Sequence, residues 1–310
     1  MKLLVTGGLG FIGSNFILHV LKNFNHQVVN VDDELTGSNH KNLTEIQNSK
    51  NYEFVKGNIT DSKLMDTLIK DCDAVINFAA ESHVDRSIDN AKPFIDSNIY
   101  GVFTILEKIK LYQKRLVHIS TDEVFGSLEV GSASEMFRFN PSSPYSASKA
   151  SAELLVNSYV VTYGIDAVIT RCTNNYGPHQ FFEKLIPKTI MLAHYNKKIP
   201  IQNQGKGIRD WIFVDDHCKA IMRVLEDGKS GESYNISSAN EIDALTVVKK
   251  ILKIMNKPED LYEYVQDRPG HDYRYSMDSS KIRTQLGWLP TIDFESGIRQ
   301  TIDWYLHNKN

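Results

Sequence analysis

Thr6-Gly7-Gly8-Leu9-Gly10-Phe11-Ile12-Gly13 follows the apolar run Leu3–Thr6 and leads into the helical pattern Ser14–Asn23. Gly8, Gly10 and Gly13 satisfy G-x-G-x-x-G, and Gly7, Gly10 and Gly13 satisfy G-x-x-G-x-x-G. Glycine permits the tight turn and lets backbone approach a pyrophosphate. The helix that follows offers free N–H groups and a positive dipole end. A glycine motif alone is weak, but strand, loop and helix fall here in the required order. Asp32 ends the next apolar run, Val28–Val31, about 20 residues on. A carboxylate there can accept both ribose hydroxyls of an adenosine and would repel a 2′-phosphate, so the expected cofactor is NAD.

Outward from this turn the same rhythm repeats. Ala74–Phe78, Leu116–Ser120 and Ala167–Thr170 read as buried parallel strands, and a third strand is expected just before Asn58. Between the strands, Ser62–Lys70, Pro93–Leu111 and Ser146–Tyr163 read as helices. This alternation predicts an α/β fold with a Rossmann-like, doubly wound parallel sheet. After Asn174 prolines punctuate a looser pattern, read as a smaller C-terminal α+β lobe that closes on a helix near Phe294–His307. The expected division is residues 1–174 for the NAD-binding domain and 175–310 mainly for a substrate lobe, with later segments crossing back.

The bulk properties exclude several classes. The 310 residues carry a formal net charge of -3, 41% hydrophobic and 24% charged residues of mixed sign. That balance gives no reason to expect nucleic acid or anionic membrane as partner. No apolar run approaches the roughly 20 residues of a spanning helix. The N-terminal apolar stretch is too short for a signal peptide. Cys72, Cys172 and Cys218 are scattered and read as reduced structural thiols in a cytoplasmic protein. No metal is expected, since neither His83 nor His271 belongs to a cluster with ligand spacing.

Two further segments carry chemistry. Tyr145-Ser146-Ala147-Ser148-Lys149 places a phenol and an ammonium four apart at a helix start, hence on one face. A phenol near pKa 10 is a poor base at neutral pH, and a neighbouring ammonium improves it. Tyr145 can then take a proton from a sugar hydroxyl while hydride leaves for NAD, with Lys149 on the nicotinamide ribose. Ser120-Thr121-Asp122-Glu123 stands where a buried strand stops, and such ends face the crevice of an open α/β sheet. Read alone, two carboxylates there cap a following helix more often than they react. Beside a ketone at C4 of a sugar they have another use. One carboxylate can remove the acidified C5 proton. The other, kept protonated by burial and like-charge repulsion, can donate to a departing C6 hydroxyl. Thr121 can hydrogen-bond the C4 oxygen.

Together these segments resemble the extended short-chain dehydrogenase/reductase family, and within it the 4,6-dehydratases of nucleotide-linked glucose, nearly end to end. The resemblance is carried by Glu81-Ser82-His83-Val84-Asp85-Arg86-Ser87, Thr121-Asp122-Glu123-Val124-Phe125-Gly126, Asn174-Asn175-Tyr176-Gly177-Pro178, Glu183-Lys184-Leu185-Ile186-Pro187, Arg209-Asp210-Trp211 and Asp267-Arg268-Pro269-Gly270-His271. The T-D-E triplet is the most specific, because epimerases and decarboxylases of this superfamily keep Tyr and Lys but generally lack the acidic pair.

The resemblance implies C4 oxidation, loss of water across C5 and C6, and hydride return to C6. It implies dTDP-glucose as substrate, with UDP-glucose the alternative, and a homodimer built on the two long helices. It makes Thr121, Asp122 (acid), Glu123 (base), Tyr145 and Lys149 the catalytic set. It assigns Gly7, Gly10, Phe11, Ile12, Gly13, Asp32, Asn58, Ile59, Phe78, Ala79, Ala80, Ser97, Tyr145, Lys149 and Asn175 to NAD. It assigns Ser82, His83, Arg86, Thr121, Asn174, Lys184, Leu185, Pro200, Ile201, Gln202, Arg209, Arg268, His271 and Tyr275 to the nucleotide sugar. A guanidinium pairs bidentately with phosphate oxygens, which suits Arg209 and Arg268 to a diphosphate. The chain departs from the family in four places: Phe125 for Tyr, Asn58 for Asp, Asp33-Glu34-Leu35-Thr36-Gly37-Ser38-Asn39 for K-L-T-Y-A-G-N, and Ala244 for Asn. The competing readings are a UDP-sugar 4-epimerase or decarboxylase, and a non-catalytic NAD sensor. The latter should have lost Tyr145, Lys149 or the carboxylates.

Overall fold

The computed structural model describes residues 1–267 and 272–308. Among the described residues twelve strands follow in chain order: β1 (Lys2–Thr6), β2 (Gln27–Asp32), β3 (Tyr52–Lys56), β4 (Ala74–Asn77), β5 (Arg115–Thr121), β6 (Ala167–Cys172), β7 (Asn174–Tyr176), β8 (Ile199–Ile201), β9 (Ile208–Phe213), β10 (Ser233–Ile236), β11 (Glu241–Asp243) and β12 (Tyr262–Tyr264). The main sheet has the order β10-β6-β5-β4-β1-β2-β3, and every pairing in it is parallel. This is the doubly wound arrangement expected from the sequence. Its order reverses between β1 and β4, where the crevice of such sheets opens.

The strands are apolar on both faces because both are covered. Leu3, Val5, Val28, Ile76, Val117 and Val168 pack under the helices Phe11–Asn23, Val214–Asp227 and Ser280–Leu286. Their alternates Leu4, Val29, Val75, Leu116 and Ile169 pack under Ser62–Lys70, Val102–Tyr112 and Pro144–Tyr163. A polar thread crosses the middle of the sheet: Thr6 Oγ1 donates to Asn77 Oδ1 at 2.6 Å, and Asn77 Nδ2 lies 3.1 Å from His118 Nδ1. Burial holds His118 well below the usual histidine range, so it is the neutral acceptor.

The second lobe has its own cores, around Tyr176, Ile186, Trp211, Phe213 and Ile298, and around Ile199, Ile201 and Val248. The small sheet β11-β9-β7 and the pair β12-β8 lie here. The chain does not divide simply in sequence, because β10 returns to pair with β6 and Val214–Asp227 packs on the main sheet. The expected single helix Pro93–Leu111 runs as Lys92–Ile95, a π-helical turn Asp96–Gly101 and Val102–Tyr112. Asn98 in that turn is buried. Its amide donates to Glu81 O (3.0 Å) and Ser148 Oγ (2.9 Å), and its carbonyl accepts from Glu81 N (2.9 Å).

Candidate active site

The C-terminal ends of β1, β2, β4, β5 and β6 deliver the site residues to one cleft. Its dinucleotide end is built by the glycine turn. Gly7 sits at φ +72°, and a Cβ there would stand 2.7 Å from Ala79 N. A Cβ on Gly13 would stand 2.4 Å from Gly7 O. Both positions therefore need glycine, for backbone conformation and for close approach. Gly10 caps the helix Phe11–Asn23 without any side-chain hydrogen bond, so the helix N-terminus faces the cleft bare. At the end of β2, Asp32 is held still. Its Oδ1 accepts from Glu34 N (2.9 Å) and Ser38 Oγ (2.7 Å), and its Oδ2 from Leu9 N (3.0 Å). These features fit a dinucleotide: a cradle a Cβ would fill, an open helix end and a fixed carboxylate.

The departures from the family pattern have a local explanation. Asn58 Nδ2 donates to Asp33 Oδ2 at 2.8 Å. An Asp at position 58 would set two carboxylates against each other, so an amide at 58 suits the acid at 33. Ser38, in the same loop, is the hydroxyl that fixes Asp32. Phe125 packs with Phe137 and Phe139, ring centroids 6.1 and 6.0 Å away, where a phenol would have to find a polar partner. Ala244 opens the helix Ala244–Ile254 and donates its N–H to Gly207 O.

Tyr145 and Lys149 owe their place to a strong helix start. Ser143 Oγ accepts from Ser146 N (3.1 Å), Ser146 Oγ accepts from Ser143 N (3.0 Å), and Pro144 fills the first helical position. Tyr145 thus lies in the first turn and Lys149 one turn on, both buried. Lys149 Nζ donates to Ile119 O at 2.6 Å. Burial lowers Lys149 to about 8, against the opposing pull of Glu153 and Cys172. The Tyr145 phenol stands well above its usual value, through burial first and the Glu123 charge next, with a hydrogen bond to Thr121 opposing. The ammonium alone does not make it acidic.

The acidic pair does not cap a helix. Thr121 caps the short turn Asp122–Phe125, accepting from Glu123 N at 3.3 Å. Asp122 is 4% exposed, and its Oδ1 accepts from Thr121 Oγ1 at 3.2 Å. Its Oδ2 is buried with no hydrogen-bond partner among the described residues. Burial, then the Glu123 charge, hold the Asp122 carboxyl well above the carboxylate range, with Arg209 opposing. Its surroundings thus favour the neutral carboxyl, with an oxygen to spare.

All the expected catalytic and NAD residues line this cleft, as do Ser82, His83, Arg86, Asn174 and Lys184 on the sugar side. The loop after β4 is latched across the cleft. Arg86 Nη2 donates to both Glu183 oxygens (3.2 and 3.1 Å), and His83 Nε2 lies 3.2 Å from Glu183 Oε2. Six expected sugar residues do not line it. Leu185 and Ile201 belong to the packing of the second lobe, while Pro200 lies in β8 and Gln202 just after it. Arg209 donates to the carbonyls of Ile208 (2.7 Å), Asp272 (2.9 Å) and Tyr273 (3.2 Å), its guanidinium 4.3 Å from the Tyr275 ring centre. Tyr275 in turn donates to Asp272 Oδ2 at 2.6 Å. Arg268 and His271 lie outside the described residues. The cleft also takes in Asp33, Ser38, Glu81, Cys172, Thr173, Gln180 and Phe181, which the sequence analysis assigned to neither cofactor nor sugar.

A parallel sheet of this order with a glycine turn at β1 and a Tyr–Lys helix beside β5 is the architecture of an extended short-chain dehydrogenase/reductase. The family model described as GDP-mannose 4,6 dehydratase matches residues 4–301, and the chain belongs to that family. A dTDP-glucose 4,6-dehydratase of Mycobacterium tuberculosis is 45% identical over 315 residues, covering 100% of this chain and 95% of the relative. The crystal structure of the Streptomyces venezuelae dTDP-glucose 4,6-dehydratase with NAD and TYD bound superposes with a TM-score of 0.97. It is 40% identical, covering 100% of this chain and 98% of that one. The Bacillus anthracis dTDP-glucose 4,6-dehydratase in complex with NAD superposes with a TM-score of 0.95 at 42% identity, covering 100% and 97%.

Proposed function

We propose that the chain converts dTDP-glucose to dTDP-4-keto-6-deoxyglucose and water. The observation that carries this reading is a buried Asp122 with an unpaired oxygen, its carboxyl pushed well above the carboxylate range by burial and the Glu123 charge, in the same cleft as Tyr145 and Lys149. Oxidation and reduction alone would need no such acid. NAD, when bound, supplies the acceptor for hydride from C4, the donor of that hydride to C6, and a positive ring charge.

Tyr145 takes the proton of the C4 hydroxyl as hydride leaves C4. Lys149, pinned to Ile119 O, holds positive charge beside the phenol and lowers the cost of the phenolate. Thr121 donates to the C4 oxygen, where charge grows in the next step. With C4 a ketone, Glu123 removes the C5 proton. Asp122 protonates the C6 hydroxyl, which departs as water. Hydride returns to C6 and Glu123 returns a proton to C5. The proton held by Tyr145 replaces the one Asp122 gave up, so the cycle closes with one water lost and no net cofactor used. Asp32 selects NAD by accepting the ribose hydroxyls. Ser82, His83, Arg86, Asn174 and Lys184 line the sugar end.

The working unit is a homodimer in the cytoplasm. Supporting this, Phe103 and Leu111 on one long helix, and Leu154 and Val161 on its neighbour, remain 38% to 87% exposed. Two adjacent helices with an uncovered apolar stripe suit a bundle with a second copy. No described helix is long and apolar enough to cross a membrane.

The deciding experiment incubates the protein with dTDP-glucose and UDP-glucose in parallel and follows product by NMR. A 4-keto-6-deoxy product from dTDP-glucose is expected. The same product from UDP-glucose alone would move the base assignment. A C4 epimer without loss of water would overturn the reading.

A further inference from the structure

Glu153 lies one turn beyond Lys149 on the helix that carries Tyr145, and it is wholly buried. Its carboxylate accepts from Arg171 Nε (3.0 and 2.9 Å) and Nη2 (2.6 Å), and Arg171 is 2% exposed. Stability gives little reason for such a pair, because desolvation offsets most of the attraction and an apolar pair of similar volume often does as well. Its position is more informative. Arg171 is the register partner of Ser120 across β5 and β6. Ser120 Oγ donates to Glu153 Oε1 at 2.5 Å. The guanidinium also lies over the rings of Phe125 (5.1 Å) and Phe139 (5.3 Å), and its Nη1 donates to Glu135 O at 3.3 Å.

These contacts hold the Asp122-Glu123 dipeptide at both ends. Ahead of it, the helix is fastened to two successive strand residues, by Lys149 to Ile119 O and by Glu153 to Ser120. Behind it, Phe125 is seated against Arg171. Helical spacing explains the fastening: Tyr145, Lys149 and Glu153 recur every fourth residue and share one face. Building on the dehydratase reading, we infer that Glu153 and Arg171 are positioning residues for the elimination half-reaction. Through Ser120 and Phe125 they fix the acid and base relative to Tyr145, without touching the sugar themselves.

The test separates oxidation from elimination. Ser120→Ala removes only the strand-side tie and leaves the ion pair. Glu153→Leu/Arg171→Met replaces the pair with apolar side chains, so no lone buried charge is left to unfold the protein. Each NAD-loaded variant is mixed with dTDP-glucose in D2O. Absorbance at ~340 nm reads bound NADH, and rapid quench reads deuterium at C5 and 4-keto-6-deoxy product. Misplacing a reacting group by about 1 Å costs on the order of 100-fold. In Ser120→Ala, which leaves the Glu153 charge near Lys149 in place, C5 exchange and product formation should fall about 10- to 100-fold while C4 oxidation stays within about 3-fold, so bound NADH accumulates; in the double variant, which removes that charge, elimination should fall further than C4 oxidation. A purely structural role would lower oxidation and elimination together, and that result overturns the inference. So does wild-type elimination in Ser120→Ala. Wild type yielding no 4-keto-6-deoxy product at all would instead overturn the functional reading beneath it.

Discussion

Replacing Asp122 with Asn removes one buried titration and keeps the size of the side chain. In the folded protein the carboxyl is held well above its usual range by burial and by the Glu123 charge, while the unfolded chain titrates near the ordinary 3.8. Between those two values the folded state binds a proton that the unfolded state has lost. The stability this carboxyl supplies is therefore complete below the unfolded value and is withdrawn as pH rises through the folded one. One proton of difference amounts to about 1.4 kcal/mol per pH unit. For 310 residues at ~2.1 cal/mol/K each, the unfolding entropy is about 0.65 kcal/mol/K, so one pH unit moves Tm by about 2 °C. The Asn variant lacks this slope. Calorimetry on NAD-loaded wild type and Asp122→Asn from about pH 4.5 to about 7.5 should show the variant gaining about 2 °C per pH unit. The gain should level off where Asp122 ionises in the folded protein. A constant offset between the two proteins would refute a buried, protonated Asp122. The proton acid for C6 would then have to be another group.

Three other outcomes follow from the same geometry. Tyr145→Phe should lower turnover by about 10²- to 10⁴-fold, with dTDP-glucose binding by calorimetry nearly unchanged, because only the proton-accepting oxygen is lost; wild-type kcat would exclude Tyr145 as the base. Glu123→Gln should stop exchange of C5 hydrogen with D2O while NADH still forms at the active site, and undiminished exchange would assign that base elsewhere. Light scattering at micromolar protein should give a dimer, and Leu154→Glu/Val161→Glu should shift it toward monomer by charging the apolar stripe; a monomeric wild type would remove the bundle.

Legibility in the sequence tracked how local each feature is. The glycine turn, the strand-end aspartate and the Tyr–Lys helix start are each set by neighbours within one or two turns, and all three stand where the periodicity puts them. The helix Phe294–His307 was readable for the same reason, its apolar face repeating through Ile298, Ile302 and Tyr305. Ser233–Ile236 was not identifiable as a strand, because four residues carry too little periodicity and the partner that makes them one is β6, more than 60 residues away. The π turn at Asp96–Gly101 was equally hidden, since its signature is the tertiary clamp that Asn98 makes to Glu81 and Ser148. On the sugar side, motif matching placed Ile201 and Arg209 near substrate, whereas side-chain packing puts Ile201 in a lobe core and engages three Arg209 N–H groups with carbonyls.

The same distinction bears on how one sheet supports different sugar chemistries. On the proposed reading, hydride transfer at C4 draws on Tyr145, Lys149 and the glycine turn. Dehydration adds a second demand, an acid and a base that act one carbon apart after the ketone has formed. On the proposed reading both come from successive residues at a single strand end, Asp122 and Glu123, and their unlike behaviour arises from surroundings. Asp122 is enclosed, faces Glu123 and keeps its proton. If Glu123 is charged, it supplies part of the field that keeps Asp122 neutral, so each residue helps to set the other's role. The reciprocal cost falls on Tyr145, whose phenol the Glu123 charge also raises. A base made reluctant by its own neighbours must therefore rely on the positive charge of Lys149 and of oxidised cofactor. Once hydride has moved, the ring's charge is gone and a proton on Tyr145 is held more firmly. On the proposed reading oxidation still comes first for a chemical reason, since only the C4 ketone makes the C5 proton acidic enough for Glu123 to take.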